Sequence, residues 1–232
     1  MRLKKLISFL IIMFSIVINS QNIPVYKTNN PIRIDGNLSD WDKPFLGPFV
    51  IHNSGEKALQ NTYVSFLWND ENLYIAYNCT DSNIVGKPQT KDAQIFYTDD
   101  LVEIFIDPDG DGQNYVEIGV NAFSTNYDLL LRCISPECGG WKTETGFNIK
   151  GMETVSNINL DGYTVEIKIP FASLEKIRNA NFTKPKIGTK WKANAFRIDY
   201  GKTIEYQALQ PYKSLKFGFH QPEEFAVFEF LE

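Results

Sequence analysis

Apolar and polar residues alternate with a period of two through most of the chain, which is the pattern of half-buried β-strands. Eight segments of strand length show it and are rich in β-branched and aromatic residues: 62–68, 72–79, 101–107, 114–121, 127–133, 162–170, 191–198 and 225–231. Turn-forming residues separate them, as at 69–72 and 159–162. Helical patterning is confined to two short stretches, 39–42 and 171–177. The pattern predicts an all-β fold, an antiparallel β-sandwich of jelly-roll or immunoglobulin-like type with one or two short helices.

The segment 99–121, DDLVEIFIDPDGDGQNYVEIGVN, is predicted to form a hairpin of two strands joined by an aspartate-rich turn. Successive side chains of a strand point to opposite faces, so Glu103 lies on a mostly apolar face. If the two strands pair across the turn, Glu103, Glu117 and Asn121 line one surface. Carboxylates and amides bind hydroxyl groups, and aromatic rings bind the apolar faces of sugars. The pattern therefore indicates sugar-binding chemistry on this face.

The first twenty residues differ from the rest of the chain. Three positive charges precede an apolar stretch that ends before Ser20. This is the pattern of a cleaved secretory signal peptide, residues 1–20, rather than of a spanning helix. The short basic leader indicates a bacterial protein that is secreted or periplasmic. Residues 21–232 contain no linker-like segment, so they are predicted to form a single domain with no membrane span.

The charge balance bears on the class of partner. The chain has 23 Lys+Arg and 28 Asp+Glu, a formal net charge of -5. Removal of residues 1–20 takes away three basic residues and no acidic ones, which leaves 20 against 28 and a net charge of -8. Nucleic-acid phosphates require a basic face, so nucleic acid is excluded as the expected partner.

Three cysteines, Cys79, Cys133 and Cys138, lie in the predicted mature chain. Export to an oxidising compartment permits a disulfide, and Cys133 and Cys138 are spaced to close a short loop. Three reduced thiols, with Cys79 buried in a strand, are equally consistent with the sequence. The two histidines have no ligand-like spacing to these cysteines, so zinc is not expected.

The turn of the predicted hairpin places aspartates at every second position, Asp107, Asp109 and Asp111. Alternating oxygen ligands of this kind resemble the opening of a calcium loop. The glutamate that closes an EF-hand loop at its twelfth position is replaced by Ile118. A calcium site and a simple Asp/Gly-rich turn both remain open.

Four tryptophans divide into two groups. Trp41, Trp68 and Trp191 lie within strand or helix motifs and are predicted to pack in the core. Trp141 follows a Cys-Gly-Gly sequence outside the predicted strands. It is expected either to form an exposed platform for a ligand or to close over an edge of the core.

The order of motifs resembles the carbohydrate-binding modules of family 9 and their relatives in the wider DOMON-like group. The matching segments cover nearly the whole mature chain, and they are 32–42, 66–81, 99–112, 115–121, 162–174, 188–199 and 219–230. The resemblance implies a jelly-roll-like sandwich that holds a sugar, in that family the reducing end of a glycan, between two aromatic walls.

The resemblance also implies site residues. The two aromatic walls correspond to Tyr97 and Phe219, and the glutamate that hydrogen-bonds the sugar corresponds to Glu103. The walls of the family member compared are tryptophans, so the rings here are smaller. A sugar-contacting arginine of that family falls on Gly119. The resemblance therefore predicts the fold of this chain more directly than it predicts the ligand.

These observations predict an exported, non-catalytic protein that binds an oligo- or polysaccharide. No G-x-S-x-G, H-E-x-x-H or P-loop motif indicates an enzyme. Three alternatives remain open: a structural or partner-binding sandwich whose sugar site has decayed, which Gly119 favours; a glycan-active enzyme that uses Glu103; and a haem-binding relative with Met152 and His220 as axial ligands.

Overall fold

The computed structural model describes residues 22–135, 138, 140–177 and 184–232, so the predicted leader lies outside the described residues. The described part contains thirteen strands. They are β1 (Ile23–Lys27), β2 (Val50–Ile51), β3 (Thr62–Trp68), β4 (Asn72–Thr80), β5 (Leu101–Asp107), β6 (Asn114–Asn121), β7 (Asn126–Cys133), β8 (Trp141–Glu144), β9 (Glu153–Ile158), β10 (Gly162–Pro170), β11 (Lys190–Asp199), β12 (Glu205–Ala208) and β13 (Ala226–Leu231).

Helical structure is short, as the pattern predicted. Helix α1 (Phe171–Leu174) continues into a 3-10 turn at Glu175–Ile177, and further 3-10 turns lie at Leu38–Asp40, Ile95–Tyr97 and Pro222–Glu224. No helix in the described ranges is both long and apolar enough to cross a membrane.

The strands form a continuous mixed sheet with the order β8-β7-β6-β5-β11-β13-β1-β3-β4-β10-β9, and β12 and β2 extend it beside β11. The largest cluster of buried apolar side chains draws on β5 and β6 from one half of this order and on β4 and β10 from the other. The two halves therefore pack face to face, and the predicted β-sandwich is confirmed.

Each of the eight predicted strands is present, with bounds that agree to within one residue. Five strands were not predicted. Of these, β2, β8 and β12 have at most four residues, too few for an alternating pattern to be recognised. Strand β1 departs from the predicted antiparallel pairing, because it runs parallel to both β13 and β3. Parallel pairing is possible because both partners lie far from β1 in sequence.

Strand β5 shows how the alternation positions the site. Val102, Ile104 and Ile106 enter the core between the two halves. Leu101 and Phe105 point to the opposite face, called here the outer face, where a second apolar cluster covers the sheet. Glu103 lies between them on that outer face, as predicted. The three tryptophans assigned to packing are all buried: Trp41, Trp68 and Trp191.

Two side chains on the inner face of β11, Arg197 and Asp199, are charged. Arg197 is fully buried and donates hydrogen bonds to Asp81 (2.8 Å) and Asp199 (3.1 Å). It also donates to the carbonyl oxygen of Thr80 (2.9 Å), and its guanidinium carbon lies 5.4 Å from the ring centroid of Tyr163. This buried ion-pair network was not predicted from the sequence.

The structure distinguishes between the two cysteine alternatives. Cys133 and Cys138 form a disulfide with their Cα atoms 5.1 Å apart. Cys79 is a buried thiol in β4, and burial raises its pKa to about 11. The disulfide links the end of β7 to the loop that precedes β8, close to Trp141.

Candidate functional site

A cleft of about 550 Å³ lies on the outer face of the β8-β7-β6-β5-β11 half. Its floor is formed by side chains of β5, β6 and β7, and loops before β5 and before β13 form its sides. Most of the lining is aromatic, and the rings are Phe96, Tyr97, Phe105, Trp141, Tyr200, Tyr206, Phe217, Phe219 and His220. Flat apolar sides above a polar floor suit a ligand with both ring faces and hydroxyl groups.

Two glutamates on adjacent strands form the polar floor. Glu103 of β5 and Glu117 of β6 both line the cleft and are buried. The hydroxyl group of Tyr127, from β7, is hydrogen-bonded to Glu103 and lies 2.8 Å from Oε1 of Glu117. Tyr127 therefore joins the two carboxyl groups into one unit, which we call the carboxyl pair.

Gly119 makes room for this arrangement. In the sheet, Gly119 lies opposite Glu103 on one side and opposite Tyr127 on the other. A Cβ atom at position 119 would lie 2.2 Å from Cε1 of Tyr127. The tyrosine ring thus occupies the space above Gly119, where the resemblance predicts an arginine.

The carboxyl pair is held in conditions that disfavour two negative charges. Burial raises the pKa of Glu103 to about 7. Burial, and then the neighbouring Glu103, raise the pKa of Glu117 well above its ordinary value. The single Tyr127 hydroxyl has one proton and lies against two carboxyl oxygens, so both contacts are favourable when one glutamate is protonated. Burial therefore favours a pair that holds one shared proton over a pair with two negative charges.

One acceptor of the pair is unused. Oε2 of Glu103 is buried, and among the described residues no hydrogen-bond donor reaches it. Buried polar atoms are nearly always hydrogen-bonded in folded proteins. An orphaned carboxyl oxygen on the floor of a cleft is therefore a position for a donor on a ligand.

The sides of the cleft place two exposed rings above this floor. Tyr97 is 66% exposed, and Phe217 is 69% exposed. Phe219 lines the cleft too, but it is only 6% exposed and stacks on Phe196 with ring centroids 4.2 Å apart. Phe217 was missed because the family spacing points to Phe219, two residues later; the alternating aromatics in the sequence KFGFH were the available signal.

Trp141 and His220 form the end of the cleft. Trp141 is half-buried and meets the ring of Tyr115 edge-on at 5.3 Å, and its role as a platform for a ligand stays a prediction. His220 stacks on Phe105 with centroids 5.1 Å apart, and its Nε2 lies 3.8 Å from Glu117. Burial lowers the pKa of His220.

Met152 and His220, the haem ligands considered above, are not brought together. Met152 packs against the core between the two halves, whereas His220 lines the cleft on the outer face. A haem held by both axial ligands is therefore not supported by their positions.

Asn121 lies outside the cleft, although it occupies the predicted face. Its amide group donates to Asp99 (2.7 Å) and to the carbonyl oxygen of Lys87 (3.1 Å). Its carbonyl oxygen accepts from the backbone N–H groups of Phe123 and Thr125. The amide is thus used within the fold, where it holds the turn after β6 against the segment before β5.

The three aspartates of the turn after β5 do cluster. One carboxylate oxygen of each of Asp107, Asp109 and Asp111 lies within 4.8 Å of the others. Both oxygens of the buried Asp107 accept backbone hydrogen bonds, from Gly110 (2.9 Å) and Gly112 (2.8 Å). These bonds explain the turn without a cation, and a calcium ion there stays a prediction.

A second acidic cluster has its own counter-charge. Asp81, Asp100 and Asp199 also bring carboxylate oxygens within 4.8 Å of one another. Arg197 donates to two of the three, so a protein cation already compensates this group.

Replacement of Gly119 by alanine is expected to lower the free energy of unfolding by about 1 to 3 kcal/mol, because the added methyl group overlaps the buried ring of Tyr127. Urea denaturation measures the loss. Gly146→Ala is the matched control, since a Cβ atom there meets nothing within 4 Å. Equal stability of the two variants would show that Tyr127 does not fill this space.

Comparisons with known proteins agree with this architecture. Residues 34–205 match the model of the carbohydrate family 9 binding domain-like family. Exoglucanase XynX of Acetivibrio thermocellus is 28% identical over 145 residues, which are 61% of this chain and 12% of the exoglucanase. Endo-1,4-beta-xylanase A of Thermoanaerobacterium saccharolyticum is 28% identical over 145 residues, 61% of this chain and 11% of that enzyme. The similarity thus covers a small part of each enzyme.

Solved structures share the fold. A Bacteroides uniformis protein to which carbohydrate binding is attributed has a TM-score of 0.69 at 13% identity, with 90% of this chain and 98% of that chain covered. A family 9 carbohydrate-binding module of Caldicellulosiruptor kristjanssonii, solved with glucose, has a TM-score of 0.60 at 18% identity over 89% and 95% of the two chains. A family 9 module of the same organism, solved with cellotriose, has a TM-score of 0.60 at 18% identity, with 90% of this chain and 93% of that chain covered. Because the family model matches residues 34–205, which are most of this chain, the chain belongs to the carbohydrate family 9 binding domain-like family.

Proposed function

We propose that this protein is an exported, non-catalytic carbohydrate-binding protein that holds one sugar unit of an oligo- or polysaccharide in the cleft on its outer face. One observation carries the proposal. Glu103, whose Oε2 has no hydrogen-bond partner among the described residues, forms part of the floor of a cleft whose sides carry two exposed aromatic rings, Tyr97 and Phe217. A sugar ring offers the hydroxyl donor and the apolar faces that this arrangement lacks.

Roles for the remaining residues follow from their positions. Glu117 supplies a second carboxyl group to the floor, and Tyr127 orients both glutamates. Trp141 limits the end of the cleft. Phe219 packs on Phe196 and supports the side of the cleft that carries Phe217. The glucose and cellotriose complexes of the Caldicellulosiruptor kristjanssonii module support a glucose-containing glycan as a first ligand to test.

The carboxyl pair argues for binding rather than hydrolysis. A glycosidase needs one carboxyl group that stays protonated and another that stays ionised, on either side of the scissile bond. Here Glu103 and Glu117 lie side by side on one floor and contact the same Tyr127 hydroxyl, so they do not flank a bond from two sides. The family of the chain is one of binding modules, and the enzymes among the relatives match it over only 11% and 12% of their length.

A glycan-array screen followed by calorimetry tests the proposal. Tyr97→Ala and Phe217→Ala are each expected to weaken binding about five- to thirtyfold, because a ring contact contributes about 1 to 2 kcal/mol. Leu160→Ala is the control, since Leu160 is fully exposed on a surface that does not line the cleft. Folded protein that binds nothing on the array would favour the decayed-site alternative.

Calcium remains part of the proposal at Asp107, Asp109 and Asp111. Their clustered oxygens are ligands that calcium prefers, and two of the three carboxylates are exposed. If calcium binds, adding it at about a hundred times its dissociation constant stabilises the protein by about 2.7 kcal/mol. Thermal unfolding with calcium and with a chelator measures this, and Asp109→Asn should reduce the difference. If calcium and the chelator give the same melting temperature, the segment is a simple Asp/Gly-rich turn and not a calcium site.

Export is likewise proposed on the sequence of residues 1–20 and on the similarity to parts of two glycan-degrading enzymes. Expression of the full chain in a bacterial host, followed by fractionation and N-terminal sequencing, tests it. A mature N-terminus near residue 21 in the periplasm or medium is expected. Uncleaved protein in the cytoplasm would contradict export.

A further inference from the structure

In the part of the chain that the structure describes, the carboxyl pair has no cationic partner in the cleft. No lysine or arginine occurs among the described residues that line it, and His220 supplies the lining's one imidazole. The other titratable side chains of the lining, besides the two glutamates, are Tyr97, Tyr200 and Tyr206. Lys192 and Lys216 line an adjoining groove, which shares Trp141, Phe217 and His220 with the cleft. The floor is therefore acidic and lacks a counter-charge.

Neighbouring elements do not supply that charge from behind the floor. On the outer faces of β6 and β7, the neighbours of the pair are Tyr115, Tyr127 and Leu129, and on β11 Phe196 lies opposite Glu103. His220 faces Glu117 through Nε2 at 3.8 Å, and Nδ1 of the same ring is 2.9 Å from the hydroxyl group of Tyr115. Burial lowers the pKa of His220, which favours its neutral form at pH 7.

We propose that the cleft selects a hexosamine with a free, protonated amino group over the corresponding neutral sugar. This inference rests on the proposed function and names the class of sugar. An ammonium group has three N–H donors, and the orphaned Oε2 of Glu103 and the Oε2 of Glu117 are acceptors for two of them.

The proton shared by the carboxyl pair couples the floor to a bound cation. A neutral hydroxyl group satisfies Oε2 of Glu103 but leaves the second carboxyl group protonated. A bound ammonium group allows both glutamates to ionise, and the shared proton passes to solvent. An acidic sugar would bring a third carboxylate to a floor without a cation, so uronic acids are rejected.

Calorimetry on the full mature chain at about pH 7, where an aliphatic amine of this kind is mostly protonated, tests the inference. The probes are glucosamine, glucose, N-acetylglucosamine and glucuronic acid. Glucosamine is expected to bind at least about tenfold more tightly than glucose, as a charge-assisted hydrogen bond would give. N-acetylglucosamine keeps the nitrogen but loses the charge, so it should lose this advantage.

Two further measurements separate charge from shape. Titrations in buffers of different ionisation enthalpy should show proton release from the unaltered chain with glucosamine but not with glucose. Glu117→Gln should bring the ratio of the two affinities towards one, because an amide cannot ionise. Tyr97→Ala should weaken both sugars and leave most of the ratio, since Tyr97 contacts the ring rather than the floor.

The outcomes are distinguishable. Equal affinities for glucose and glucosamine, without proton release, overturn the preference for a hexosamine and leave sugar binding intact. No binding of any probe by a sample with a native circular dichroism spectrum overturns the proposed function as well. Tight glucosamine binding with proton release supports both the proposed carbohydrate-binding function and the preference for a hexosamine.

Discussion

Replacement of Arg197 by methionine is expected to lower the free energy of unfolding by about 3 to 5 kcal/mol. The guanidinium group is fully buried and donates to Asp81 and Asp199, which lie in different parts of the sequence but meet at the end of β11. Methionine fills a similar volume but leaves two buried carboxylates without their cation. Urea denaturation at pH 7 measures the loss.

A surface ion pair provides the control for this substitution. Arg132 is partly exposed and pairs with Glu144 at 3.0 Å across the β7–β8 strands. Arg132→Met should lower stability by less than about 1 kcal/mol, because exposed ion pairs contribute little. Similar losses for the two variants would mean that burial does not strengthen the Arg197 network. Combining Arg197→Met with Asp81→Asn and Asp199→Asn should recover part of the loss by removing the unpaired charges.

The protein is expected to lose stability as the pH rises from about 5 to about 8. Burial raises the pKa of Glu103 from 4.5 to about 7 in the folded state. A carboxyl group with a raised folded-state pKa stabilises the fold while it is protonated, and this contribution disappears as the pH rises through that value. At about 1.4 kcal/mol for each pH unit, the contribution of Glu103 is about 3 kcal/mol.

Burial also raises the pKa values of Asp100 and Asp107 to about 7, so they act in the same direction. Thermal and urea unfolding at pH 5, 6, 7 and 8 measure the trend. Glu103→Gln should flatten the curve, because glutamine does not ionise, whereas Glu56→Gln on the exposed surface should not. A stability that stays constant or increases over this range would contradict the burial of an uncompensated carboxyl pair.

Sequence alone determined the local part of this structure. The period-two pattern of 101–107 sends Val102 and Ile104 to the core and Glu103 to the outer face, because alternation along a strand is a property of the backbone. The same reasoning placed all eight predicted strands. The resemblance to a family supplied Tyr97, which the structure places on the cleft.

The tertiary structure decided which of these side chains meet. Tyr127 joins Glu103 and Glu117 because β7 lies beside β6 in a register that puts Tyr127 opposite Gly119, and a local pattern does not specify that register. The family spacing pointed to Phe219 as an aromatic wall, but packing on Phe196 buries Phe219. Phe217 is therefore the exposed ring on that side of the cleft. Polar partners distant in sequence are set by packing and not by spacing, which is why the cationless floor of the cleft emerged only from the folded chain.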